Sequence, residues 1–241
     1  MTLRVELQPA YVLHTRSYRD NSLLVDLLSR DYGRVSVVAK GVKPRRRKKI
    51  GKPLQPFSPI LVSWIGKNSL KTLTQREMTS AIPALLGDSL YSGLYLNELL
   101  VRVLQNEDPH PGLFDLYHHT LLNLGGAEPI DITLRHFEFG LLEGLGYGID
   151  LKTDSTNGEP ISKNRYYHYI NEVGLVPVQD SLQKIPVGFR GKDLCKMAAG
   201  QYSDEVRRSA KRLLRQALSP LLGDKALNSR SLFKQYRKIS E

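Results

Sequence analysis

The sequence predicts an α+β protein, a small closed β-barrel followed by a mainly α-helical region. Two periodic patterns and one local excess of charge carry that expectation. Residues 10 to 79 alternate with period two, as half-buried strands do. From Pro83 onward, apolar residues recur at three- and four-residue steps, the mark of helices with one buried face. The net charge is +11, and the stretch from Lys40 to Lys52 supplies +8 of it, leaving only +3 for all other residues. A hydrophobic fraction of 41% fits a chain that folds.

The strands follow in order. In the first, Tyr11, Leu13 and Thr15 face one way and Val12, His14 and Arg16 the other. Leu23 to Leu28 reads as a more deeply buried strand, and Asp31-Tyr32-Gly33 turns the chain into Val35, Val37 and Ala39. Pro56 and Pro59 bracket the entry to Ile60-Leu61-Val62-Ser63-Trp64-Ile65. Gly66-Lys67-Asn68 then leads into Leu70 to Thr74. Five short strands in about seventy residues suit an OB-fold barrel, which leaves no free sheet edge.

Helices follow. Leu90, Tyr91, Leu94, Tyr95, Glu98, Leu99 and Val103 form a first stripe. Pro109 and Pro111 precede a second helix, Leu113 to Leu124, which Gly125-Gly126 ends. Asp131 is placed to cap a third, with Leu134, Phe137, Leu141, Leu142 and Leu145 inward and Gly144, Gly146 and Gly148 at its end. A strand is expected at Tyr166 to Ile170 and two more helices at about Gly191 to Ala199 and Ser203 to Leu221. The expected domains are residues 1–80, the barrel, and 81–241, helical with a small strand-containing insert around 150–190.

The charge marks the first candidate site. Lys40, Lys43, Arg45, Arg46, Arg47, Lys48, Lys49 and Lys52 lie in one connection between the third and fourth strands, without an acidic residue among them. Such like charges repel each other and gain little from the fold. Phosphates supply what the fold does not, because neutralising them releases condensed counterions whatever the base sequence. Tyr11, Tyr18, Tyr32 and Trp64 are candidate stacking platforms for bases, although most aromatics on alternating strands belong to the core. In Ser203 to Leu221, Arg207, Arg208, Lys211, Arg212 and Arg215 crowd the side opposite an apolar stripe, a second surface for DNA or an acidic peptide.

Other chemistries find little support. Cys195 is the single cysteine, so no internal disulfide or multi-thiolate zinc site can form. MTLRVELQPA lacks the pattern of a signal peptide, and no stretch approaches the ~20 apolar residues that span a bilayer. A reducing, cytoplasmic setting is expected. Asp115, His118 and His119 have a spacing compatible with a metal on a helix face, but adjacent histidines diverge by ~100°. The three glycines at 144, 146 and 148 follow a helix, so they are no dinucleotide loop. A metal-dependent nuclease would need clustered carboxylates, and Asp20, Asp26, Asp31 and Glu77 are scattered. The alternatives are that nuclease and an OB-fold RNA-binding protein.

Several segments, in order, resemble the bacterial recombination mediator family RecO: AYVLHTRSYRDNSLLVDLLSRDYGRVSVVAKGVK, LQPFSP, LYSGLYLNELLVRVL and LRHFEFGLLEGLGYG. The likeness continues more faintly through GEPI and SRSLFKQY. It implies an N-terminal OB domain, a helical C-terminal domain, and neither catalytic centre nor cofactor. It further implies a nucleoid-associated protein of DNA damage repair and homologous recombination in the RecF pathway. Such a protein binds single- and double-stranded DNA, anneals complementary strands, and acts with RecR. It also engages the acidic C-terminal tail of single-stranded DNA-binding protein and helps load RecA. In the LRHFEFG helix, the resemblance assigns Arg135 to that tail. One departure stands out: many members carry a four-cysteine zinc ribbon just after LGYG, and Leu151 to Asp180 contains no cysteine.

Overall fold

The computed structural model describes residues 4–19, 21–41, 54–79, 83–178 and 188–240. It divides into two compact units, Met1–Ala127 with Ala226–Glu241, and Glu128–Lys225. This division by packing does not coincide with the change of period near residue 80. The first two helices and the last pack in the unit that contains the barrel.

The barrel consists of β1 (Arg4–Tyr18), β2 (Ser22–Ser29), β3 (Gly33–Lys40), β4 (Pro59–Ile65) and β5 (Leu70–Met78). It closes in the order β1-β2-β3-β5-β4, with β4 returning to β1. β3 and β5 pair in parallel and the other neighbours antiparallel, so the expected OB-like barrel is present. Val12, Val25, Leu27, Val37, Val62 and Trp64 fill its interior. β2 reads as a continuous apolar run because both its faces are covered. Val25 and Leu27 point into the barrel, whereas Leu28, in register with Tyr11, shares the outer face.

That outer face meets helices α1 (Gly87–Val103) and α2 (Pro111–Leu124). The Tyr11 ring packs on Phe114 and Tyr117, and its hydroxyl hydrogen-bonds His118 Nδ1 at 2.5 Å. Asn97 donates to the Leu13 carbonyl at 2.9 Å and accepts from the Tyr117 hydroxyl at 2.5 Å. Each buried polar group here has a partner, which offsets its desolvation and fixes the helix register on the barrel.

The connection between α1 and α2 latches onto the start of β3. Glu107 N–H donates to the Arg34 carbonyl at 2.8 Å, and Arg34 Nε donates to Asn106 Oδ1 at 2.8 Å. Lys71, 2% exposed, places its ammonium 2.9 Å from Glu107. Gly33, at φ +63°, leaves no room for a side chain: a Cβ there would lie 1.9 Å from the Asp108 carbonyl oxygen.

The last helix, α6 (Asn228–Ser240), packs along α1. The sequence reading missed it, because its apolar residues are few and its polar ones many. Phe233 and Tyr236 supply the contact, with ring centroids 5.8 and 4.7 Å from that of Tyr91.

The second unit contains α3 (Ile130–Gly144), a sheet of β6 (Tyr166–Ile170), β7 (Gly174–Pro177) and β8 (Phe189–Arg190), then α4 (Gly191–Ala198) and α5 (Asp204–Leu222). The sequence indicates β6 but not its two short partners. α3 begins after Pro129, and the Asp131 side chain makes no cap hydrogen bond, contrary to expectation. Its C-terminus is a Schellman motif: Tyr147 N–H donates to Leu142 O at 2.8 Å and Gly146 N–H to Glu143 O at 3.0 Å, with Gly146 at φ +82°. In the segment that follows, aspartate turns organise the chain. Asp150 accepts from Lys152 N–H, and Asp154 accepts from Thr156 and Asn157 N–H at 2.9 and 3.1 Å.

Candidate nucleic-acid interface

The basic segment leaves the barrel at Lys40, the exposed last residue of β3. Lys43, Arg45, Arg46, Arg47, Lys48, Lys49 and Lys52 lie outside the described residues. The rim from which the segment departs is described. Lys40 is in register with Ser22, and Ser22 with Tyr18, so their side chains share one face. Gly41 N–H donates to Asn21 O at 2.9 Å, which ties the start of the segment to the β1–β2 turn. On this turn the Arg19 guanidinium lies 5.2 Å from the Tyr18 ring centroid. Arg16, on the same strand two residues before Tyr18, and Arg19 are exposed at this end of the barrel. Neither was singled out in the sequence, where they are isolated among polar neighbours; only strand register brings them to the rim.

Two of the four stacking candidates are corrected. Tyr11 is 0% and Trp64 1% exposed, so neither ring is open to a base. Burial also pushes the Tyr11 hydroxyl up to about 12. Tyr32 stands edge-on to Trp64 at 5.3 Å, and Tyr18 is half-exposed at the rim. The interior needed large rings more than a ligand did.

The basic face of α5 is largely occupied by the protein itself. Arg207 donates to the Tyr202 carbonyl at 3.1 Å and lies 3.5 Å from Asp131. Arg208 lies 3.7 Å from Glu205. Arg212 donates to the Gly188 carbonyl and stacks over Phe189 at 4.4 Å. Lys211 and Arg215 are exposed, with no ion-pair partner among the described residues. The sequence showed the crowding but not the acid of α3 and the carbonyls brought up from outside the helix.

Arg135 is 7% exposed, although the helical stripe does not place it inward. Its Nη2 donates to Glu138 Oε1 at 2.8 Å, an i,i+3 ion pair in which both partners are buried. Its Nε has no hydrogen-bond partner among the described residues. Nearby, an open groove of about 680 Å3 is lined by His136, Phe139 and Glu143 of α3, by the chain from Gly148 to Lys152, and by Met197 and Tyr202. Burial raises the Tyr202 phenol, and the neighbouring Arg135 charge opposes that rise. Asp150 at the groove is held low by the Thr153 hydroxyl and the Lys152 N–H. Lys152 and His136 were not singled out in the sequence, and only the fold brings them to one apolar-floored groove.

The remaining candidate ligands are engaged elsewhere. Asp115 lies 3.4 Å from Arg30, His118 faces Tyr11, and His119 Nδ1 is 2.8 Å from the Asp115 carbonyl. Among the described residues no three histidine, cysteine, aspartate or glutamate side chains gather as a metal set. Among them, too, no helix is long and apolar enough to cross a membrane.

Two family models match in sequence: recombination protein O N terminal over residues 1–82, and recombination protein O C terminal over residues 87–231. A DNA repair protein RecO of Haemophilus influenzae is 45% identical over 236 residues, covering 97% of this chain and 98% of its own. The corresponding protein of Cellvibrio japonicus is 44% identical over 238 residues, with 96% and 98% covered. That of Nitrosococcus oceani is 44% identical over 239, with 98% and 96% covered. With both halves matched and the relatives aligned almost end to end, the chain belongs to the RecO family of DNA repair and recombination proteins.

Proposed function

We propose that this protein is a non-enzymatic DNA-binding mediator, which grips single- and double-stranded DNA chiefly through Lys40 to Lys52. The observation that carries the reading is the concentration of +8 in one connection that starts at the barrel rim beside Arg16, Tyr18 and Arg19. Such a surface binds phosphates without reading bases, which suits the annealing of complementary strands of any sequence. Together with RecR, the bound protein would help load RecA onto DNA coated with single-stranded DNA-binding protein, at the nucleoid. On α5, Lys211 and Arg215 add to the DNA contact, whereas Arg207, Arg208 and Arg212 serve mainly the fold.

Replacing Arg45, Arg46, Arg47, Lys48 and Lys49 with alanine should leave the fold intact and weaken binding equally across sequences. If all five meet phosphates, the log-log salt slope on single strands flattens by ~3.5. Unchanged affinity and slope would remove this segment as the footprint. Cleavage of labelled DNA on adding magnesium or manganese would favour the nuclease reading.

The acidic tail of single-stranded DNA-binding protein is proposed to enter the groove beside Arg135. Phe139 and Met197 offer apolar contact and Lys152 a surface cation, while Arg135, buried next to the lining residue Tyr202 and with an Nε–H that has no partner among the described residues, supplies positive charge for a carboxylate. Arg135→Ala should weaken tail-peptide binding by ~1.5–3 kcal/mol, the range for a hydrogen bond to a charged group. The substitution also strands Glu138 in the interior, so Arg135→Ala/Glu138→Ala, which removes both charges, is the matching control. Equal peptide affinity for parent and both variants would exclude Arg135 as the anchor.

A further inference from the structure

Helix α6 carries bases that nothing above uses. At ~100° per residue, Arg230, Lys234, Arg237 and Lys238 fall within one sector of about 100°. Asn228 to Ser240 contains no acidic residue to balance them. The docked arc is a different one. Ser229, 4% exposed, bonds to Glu98, and the Phe233 and Tyr236 rings stack on Tyr91.

The acids of α1 that reach α6 serve its docking. Glu98 accepts from Asn228 N–H, Ser229 N–H and the Ser229 hydroxyl at 2.9, 2.8 and 2.7 Å. Asp88 accepts from Arg237 at 2.8 Å. Arg230 lies over the Tyr95 ring at 5.8 Å. Arg230, Lys234 and Lys238 are exposed and have no acidic partner among the described residues. They stand one turn apart, about 6 Å per step along the helix axis.

We propose that this flank of α6 is a second phosphate-binding surface for nucleic acid, in the same compact unit as the barrel. The proposal rests on the DNA-binding reading given above and extends its footprint. A regularly spaced row of cations suits a polymer with regularly spaced charge. An acidic peptide tail would also want an apolar pocket. Here the neighbouring rings are closed on one another, Tyr91 against Tyr236 at 4.7 Å and 31°.

The test uses the full chain with Arg230→Gln, Lys234→Gln and Lys238→Gln together, and a fluorescently labelled single strand. Three lost phosphate contacts should flatten the log-log salt slope by ~2, so that between about 50 and 200 mM salt the parent loses ~20-fold more affinity than the variant. Lys234→Gln/Lys238→Gln, which leaves Arg230 on Tyr95, should flatten it by ~1.4 and guards against any loss of α6 docking in the triple variant. Urea midpoints should match the parent for the double variant. If the slopes of both variants equal the parent's while the five-alanine variant of the basic segment is flattened, α6 is not a DNA surface and the broader reading stands. If none of the three variants flattens, both fall. Loss of tail-peptide binding with unchanged DNA binding would also overturn the proposal and assign the flank to an acidic peptide.

Discussion

α5 and α6 are both amphipathic helices crowded with arginine and lysine, yet their bases are used differently. On α5, neighbouring elements bring up acceptors, Asp131 from α3 and the Gly188 carbonyl from the chain before β8, and the helix's own first turn supplies Glu205. On α6, the acids brought up by α1 hold the helix by its N-terminus and by Arg237, and the other bases face solvent. As one-dimensional patterns the two helices share the crowding of bases. A count of charges therefore measures neither availability nor function; the elements packed alongside decide both.

The sharpest way to break the comparison is to cut the docking of α6. Glu98 satisfies two of the N–H groups that a helix leaves open at its start, and its negative charge sits at the positive end of the helix dipole. Glu98→Ala removes these bonds together with the one to Arg102. A loss of about 3 kcal/mol in urea unfolding is expected, from charge-assisted hydrogen bonds and a helix cap. The aromatic contact of Tyr236 with Tyr91 should loosen with it, visible as increased tyrosine exposure.

The same carboxylate predicts a pH dependence. Burial tends to raise its pKa, but the Ser229 and Asn228 donors and the Arg102 charge outweigh burial and hold it below the ordinary glutamate range. A depressed folded pKa means stability that is present above the unfolded value, ~4.3, and lost as pH falls through the folded one. The parent should therefore lose stability on acidification more steeply than Glu98→Gln. Parallel curves would mean that Glu98 is not the group responsible.

How much of this was legible depended on whether the signal was local. The barrel strands show because alternation follows from burying one face, and the turn at Gly33 shows because that backbone needs glycine. The Arg135–Glu138 pair did not show: a charged residue on a helix reads as outward until its neutralising partner is seen three residues on, itself buried. Tyr11 and Trp64 were ambiguous for the opposite reason, since a stacking ring and a core ring alternate identically along a strand. The basic segment was the plainest feature of the sequence, and α6 the least plain. Docking of α6 depends on Glu98, about 130 positions away, and no local pattern encodes that pairing.

A smaller effect would sharpen the contrast within α5 itself. Arg212 and Lys211 are adjacent and both exposed by area, but among the described residues only Arg212 of the two has a carbonyl brought to it. Its guanidinium donates to the Gly188 carbonyl and covers the Phe189 ring, which is 0% exposed. Arg212→Ala should cost about 2 kcal/mol in unfolding, because a carbonyl loses a charged donor and an aromatic loses its cover. Lys211→Gln with Arg215→Gln should change stability by no more than ~0.5 kcal/mol, as surface substitutions away from bonded groups do. The DNA readout should invert that order: the double variant flattens the single-strand salt slope by ~1.4, and Arg212→Ala leaves it near the parent value. If Arg212→Ala instead leaves stability untouched and flattens the slope, its intrachain bonds yield readily to phosphate. The contrast between structural and ligand-facing bases on α5 would then be wrong.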